Sequence, residues 1–115
     1  MKRGELYRVS LGSKIDTKKE RVYVIVSRKE LIDSSYSTLI CAPVYTNFEG
    51  LSTQVPVGIE EGLKHSSAIR CDELIGILKT RLTDYVGTLS EKKLVELGQA
   101  LSIALGIDSY FFLFG

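Results

Sequence analysis

Arg21-Val22-Tyr23-Val24-Ile25-Val26-Ser27 is a β-branched run with almost no interruption, which predicts a strand. Upstream, Gly4 to Ser10 alternates, with Leu6, Arg8 and Ser10 on one side and Glu5, Tyr7 and Val9 on the other, the period of two that an extended chain imposes on its side chains. Between the two lies Leu11 to Glu20, with turn formers and charge but no periodicity. The three segments together predict a hairpin with a long basic loop.

Downstream the same logic extends the sheet. Ser27 is placed to cap a short helix through Leu31 to Ser34, and Thr38 to Val44 is an apolar run too short for a buried helix and rich in β formers, hence a central strand. Thr46-Asn47-Phe48-Glu49-Gly50 is a polar connection, and Thr53 to Gly58 predicts a strand confined by Pro56 to an edge or a bulge. Ser67 to Cys71 and Leu74 to Leu78 predict one long strand or two short ones. Ser90 and Glu91 open a helix whose apolar positions Leu94, Leu97, Leu101, Ala104 and Leu105 follow the 3.6 period, and Gly106 closes it. Tyr110 to Phe114 holds three of the four phenylalanines; it needs cover, from this domain's own core or from a partner. The expected fold is α+β and mainly β: a bent antiparallel sheet of about six strands closing toward a small barrel, with a short helix and a C-terminal amphipathic helix.

The chain has 115 residues, 44% hydrophobic and 25% charged, which fits one globular domain over 1–115 and leaves no room for a second. With 15 basic and 14 acidic residues the formal charge is +1, so no global field attracts a polyanion and any nucleic-acid site must be local. Residues 1 to 30 do carry nine bases against four acids. No stretch is long and apolar enough to span a membrane, and charge arrives too early at the N-terminus for a signal peptide, so a cytoplasmic location is expected. Cys41 and Cys71 lack the spacing of a zinc or redox motif and are read as reduced, buried thiols.

Four clusters could carry chemistry. Arg21 stands where the basic loop becomes a strand, and its planar fork of donors suits a phosphodiester. Arg70 and Asp72 are two apart, hence on one face if the strand continues, as an ion pair or as an acid that orients a charge-stabilising guanidinium. Tyr45-Thr46-Asn47 places a phenol, a hydroxyl and an amide where strand becomes loop, with Phe48 following. His65, the single histidine, lies in a polar loop beside Lys64. No metal-ligand cluster, phosphate-binding glycine loop or nucleophile elbow is present, so no cofactor and no metal are expected.

In sequence order these segments resemble the MazF/PemK/Kid toxins of bacterial toxin–antitoxin systems. Lys2-Arg3-Gly4-Glu5-Leu6-Tyr7 is similar to that family's first strand, Arg21 to Val26 to its "RPVLVI" strand without the Pro, and Ile40-Cys41-Ala42-Pro43-Val44-Tyr45-Thr46 to its "VVxxPxTS" strand. Ile69-Arg70-Cys71-Asp72 is similar to the "VRCD" stretch of the Kid branch, Lys79-Thr80-Arg81-Leu82 to "KxRL", and Leu97 to Leu105 to the closing helix. The resemblance implies an SH3-like barrel, usually a homodimer, acting as a metal-independent, sequence-specific endoribonuclease (mRNA interferase) on single-stranded RNA. It also implies inhibition by a cognate antitoxin peptide, with DNA binding through the antitoxin complex.

Carried over residue by residue, the resemblance implies Arg21, Arg70 and Asp72 as catalytic residues. Its catalytic threonine falls on Tyr45 without a gap, or on Thr46 after a one-residue bulge, and Thr46 is preferred. RNA contacts are expected from Lys14, Lys18 and Lys19 in the loop, from Tyr45, Asn47 and Phe48 by stacking and edge contacts, and from His65. The rival reading is a non-catalytic barrel of the same shape that binds a protein partner or nucleic acid.

Overall fold

The computed structural model describes residues 1–11 and 20–107. These residues form seven strands: β1 (Glu5–Ser10), β2 (Glu20–Ile25), β3 (Thr38–Tyr45), β4 (Gln54–Val57), β5 (Ser67–Arg70), β6 (Ile75–Leu78) and β7 (Asp84–Thr88). Two helices join them, α1 (Lys29–Asp33) and α2 (Glu91–Leu105). Six strands follow one another in the order β4-β5-β3-β2-β1-β7, all antiparallel, and β6 pairs with β3 beside that path. Long β3 is therefore central: its first half pairs with β6, its second half with β5, and its other side with β2. The basic loop with Lys14, Lys18 and Lys19, and the aromatic tail from Tyr110 to Phe114, lie outside the described residues.

The alternation of β1 is used on both sides of the sheet. Leu6 joins Val24, Ala42, Val44, Val55, Ile69 and Cys71 in a core roofed by Leu97 and Ala100 of α2. Tyr7 and Val9 join Tyr23, Ile25, Leu39, Cys41 and Ile77 in a second core, closed by Ile32 of α1. The two cysteines are free and buried, one in each core. Burial pushes the Cys41 thiol up to about 12 and the Cys71 thiol to about 11, because a thiolate loses its hydration there.

Pro56 sits on β4, which among the described residues is an edge strand paired with β5, where a missing donor costs no ladder bond. α2 starts at Ser90, whose hydroxyl accepts the Lys93 N–H at 3.2 Å, and stops at Gly106, whose φ of 71° is left-handed. Its core-facing stripe runs Leu94, Leu97, Leu101 and Ala104 and includes Ala100. Leu105 is exposed instead, since about 100° separates it from Ala104 around the helix. Ser27 does not cap α1, which begins after Arg28 with no side-chain cap; its hydroxyl accepts the Ile40 N–H at 2.7 Å and so ties the end of β2 to β3.

The sheet curls until the Ile59–Glu61 3₁₀ turn meets β7 backbone to backbone. A Cβ on Gly87 would strike the Glu61 carbonyl oxygen, and one on Gly62 would strike that of Val86, with Gly62 also at φ 91°. Glycine is required at this seam for space and, at Gly62, for backbone conformation.

Candidate nucleic-acid interface

The candidate residues gather at the C-terminal end of β3. The Tyr23↔Pro43 pairing of β2 with β3, continued two residues further, sets Arg21 opposite Tyr45. On the other side Tyr45 pairs with Ala68 of β5, and Arg70, two residues on, is its diagonal neighbour on the same face. Both arginines turn onto the tyrosine: the guanidinium carbons of Arg21 and of Arg70 each lie 3.8 Å from the centre of the Tyr45 ring. They come from the two strands that flank β3, and so cover the two faces of one ring.

The two cations are held differently. Arg21 donates from Nη1 to the Val44 carbonyl at 3.2 Å, and among the described residues no carboxylate lies within ion-pair distance of it. Arg70 donates from Nη1 to Glu73 and from Nη2 to Glu49, each at 3.2 Å. The Tyr45 hydroxyl donates to the other Glu73 oxygen at 3.2 Å. One carboxylate thus fixes both the ring and one of its cations.

On the Arg21 side an open cleft of about 410 Å³ is lined by Arg8, Glu20, Arg21, Val22, Val44, Tyr45, Thr46, Leu63, Lys64, His65 and Ser67. Among the described residues that line it, Arg8, Arg21 and Lys64 face Glu20 as the single carboxylate, and Arg8 is partly neutralised by Asp84 at 3.8 Å. The cleft is positive although the chain is nearly neutral, which suits an anionic strand. Among the described residues no group of His, Cys, Asp or Glu is arranged to hold a metal ion.

A family model described as "PemK-like, MazF-like toxin of type II toxin-antitoxin system" matches residues 2–105. The chain belongs to this toxin family. It is 28% identical over 85 residues to Endoribonuclease MazF3 of Mycobacterium tuberculosis, covering 74% of this chain and 82% of that one. The fold is shared with a mycobacterial endoribonuclease solved with its cognate antitoxin, at a TM-score of 0.80 and 23% identity over 93% of this chain and 96% of that one. The Mycobacterium tuberculosis toxin MazF-mt6 superposes with a TM-score of 0.76 at 25% identity, over 89% of this chain and 96% of that one.

Within this toxin fold the expected site residues separate. Arg21, Tyr45, Thr46 and His65 line one cleft. Arg70 meets Tyr45 from the far side, and Asp72 is not its partner. β5 ends at Arg70, and Cys71–Glu73 forms a 3₁₀ turn, so the strand geometry that would set Asp72 beside Arg70 stops before reaching it. In a three-residue turn positions i and i+3 eclipse, which brings Glu73 over Arg70; Asp72 instead accepts the Thr53 hydroxyl at 2.5 Å.

Tyr45 was expected to stack on a base, but guanidinium groups cover both of its faces. Phe48 is half exposed at 50%, and Asn47 and Thr46 are exposed beside it. Glu49, Thr53, Lys64 and Ser67 are the contributors that sequence reasoning did not single out. The spacing Arg70-x-x-Glu73 is visible in the sequence, and the 3₁₀ turn turns it into a contact.

No helix among the described residues is long and apolar enough to cross a membrane.

Proposed function

We propose that this toxin is an endoribonuclease that cuts single-stranded RNA at the cleft beside Arg21. The observation that carries the reading is the Arg21–Tyr45–Arg70 stack at the mouth of a positive cleft. The ribose 2′-hydroxyl attacks the adjacent phosphorus and the bond to the 5′-oxygen breaks, leaving a 2′,3′-cyclic phosphate and a 5′-hydroxyl. The nucleophile gives its proton to a base and the leaving oxygen takes one from an acid, while fixed cations stabilise the charge growing on the phosphoryl oxygens.

Arg21 is the charge stabiliser, held toward the cleft by Val44 and the Tyr45 ring. Thr46 supplies a hydroxyl to the phosphate, and His65 exchanges the proton, its imidazole carrying a donor and an acceptor nitrogen. Arg70 and Asp72 belong to the RNA path on the far side of Tyr45, where Glu49 and Glu73 already balance Arg70. Lys14, Lys18 and Lys19 add strand contacts, and Asn47 and Phe48 contact bases. Family membership supports a protein antitoxin as inhibitor, with a second copy of this chain as the other partner, in the cytoplasm.

The test is incubation of the purified protein with mixed-sequence single-stranded RNA in excess chelator. Cleavage is expected to persist with chelator, to yield cyclic-phosphate ends, and to fall by two or more orders of magnitude in Arg21→Ala. Intact RNA across varied sequences, with the protein folded, would return the assignment to a binding module.

A further inference from the structure

A phosphate gripped closely by both Arg21 and Arg70 would have to sit between their guanidinium carbons, and that space is the Tyr45 ring, 3.8 Å from each. The ring is not free to leave. Its backbone is paired with Ala68 at the end of β3, and its hydroxyl is held by Glu73 at 3.2 Å. Both guanidinium groups are anchored as well, Arg21 on the Val44 carbonyl and Arg70 on Glu73. Among the described residues Arg70 Nε is buried without a hydrogen-bond partner, so this arginine meets solvent and ligand through its terminal nitrogens. Arg21 lines the cleft and Arg70 does not.

We propose that Arg21 and Arg70 bind two different phosphates of one RNA strand, with the Tyr45 ring as the partition that sets their spacing. The proposal rests on the RNA-cutting reading and deepens it. The guanidinium carbons can be no farther apart than twice their distance to the ring centre, a span on the scale of one nucleotide step along an extended backbone. Each arginine keeps its own anion, as a bidentate fork prefers, and Tyr45 is a positioning residue whose ring matters more than its hydroxyl. On the Arg70 side the incoming phosphate replaces Glu49 at Nη2.

Counterion release counts the phosphates a protein neutralises: for single strands the slope of log K against log salt falls by about 0.7 for each one lost. The probe is a mixed-sequence, fully 2′-O-methyl RNA oligonucleotide, which cannot be cut. Its affinity is measured across salt concentrations for the wild type, Arg21→Gln, Arg70→Gln and the double variant. Separate phosphates predict a loss of about 0.7 in slope for each single variant and about 1.4 for the double. A shared phosphate stays neutralised by whichever arginine remains, so almost no loss in either single variant and about 0.7 in the double overturns the proposal.

Tyr45→Phe is expected to keep the wild-type slope. Tyr45→Ala, shown to be folded by circular dichroism, is expected to lose about 0.7 although it removes no charge, because the two guanidinium groups can then close on one phosphate. An unchanged slope in Tyr45→Ala overturns the partition role. Failure of the wild-type protein to bind the oligonucleotide at all overturns the RNA-cutting reading, and the two-phosphate proposal with it.

Discussion

Glu49→Gln should make this toxin bind RNA more tightly. Glu49 Oε1 lies 3.2 Å from Arg70 Nη2, and its side chain is 54% exposed against 23% for Arg70. An exposed pair of this kind is worth about 0.2–1 kcal/mol after solvent screening. A phosphate arriving at Nη2 has to displace that carboxylate, so the pair's energy is subtracted from binding in the wild-type protein. Removing the charge while keeping the shape returns it, and the dissociation constant for the uncleavable oligonucleotide should fall by roughly 1.4- to fivefold. Global stability should drop by no more than about 1 kcal/mol. The salt slope should stay where it is, because no phosphate contact is gained or lost. Fluorescence anisotropy with a labelled 2′-O-methyl RNA at low salt, alongside urea denaturation, measures all three quantities. Affinity that is unchanged or weaker in Glu49→Gln would refute the idea that Arg70 receives RNA where Glu49 now sits.

Two further expectations concern the scaffold. Tyr7 is buried and donates to Glu5 at 3.0 Å, and the two effects, burial first, push its phenol from 10.0 up to about 12. The unfolded chain ionises first, so stability is intact below pH 10, declines between 10 and 12, and loses roughly 2–3 kcal/mol across that window. Tyr7→Phe should flatten the decline in alkaline denaturation profiles, and an equally steep profile in the variant would assign the loss to other groups. Gly87→Ala should destabilise by roughly 1–3 kcal/mol, as overpacking does where neither side can shift a rotamer, because its Cβ meets the Glu61 carbonyl. A urea midpoint within experimental error of wild type would show that the seam between β7 and the Ile59–Glu61 turn yields.

The sheet was legible because strand chemistry is local. The alternation of β1, the β-branched run of β2, the edge-confining Pro56 and the Ser90 and Gly106 caps each act within a few residues, and each appears where the pattern sets it. Ser27 failed as a cap because a tertiary acceptor role, toward Ile40 on β3, outcompeted the local one. The candidate site was only half legible for the same reason. That Arg21 and Arg70 both matter can be argued from residue type and family resemblance. That they meet on Tyr45 depends on β3 lying between β2 and β5, a fact of strand order that no local pattern encodes. Asp72 was misplaced beside Arg70 because the strand ends at Arg70 and Cys71–Glu73 becomes a 3₁₀ turn. Glu49 was invisible because 21 residues separate it from its partner.

Strand order also explains how two like charges can be held so close. Each face of an aromatic ring presents negative potential to a cation, worth about 0.5–1 kcal/mol at exposed sites and more where water is excluded. Tyr45 therefore attracts both guanidinium groups while standing between them, which offsets part of their mutual repulsion and blocks direct contact. Lysine would not serve equally, since an ammonium is a strongly hydrated point charge without a planar surface to lay on the ring. The remaining repulsion is balanced on one side only, by Glu49 and Glu73 at Arg70. The unequal balance divides the labour: a strand entering the cleft meets Arg21 as a cation with no carboxylate to displace among the described residues, and reaches Arg70 by exchanging one anion for another. A reaction that builds negative charge on phosphorus gains most from the stronger field at Arg21, which supports the proposal that cleavage takes place on the cleft side of the ring and that the neighbouring phosphate is registered on the other.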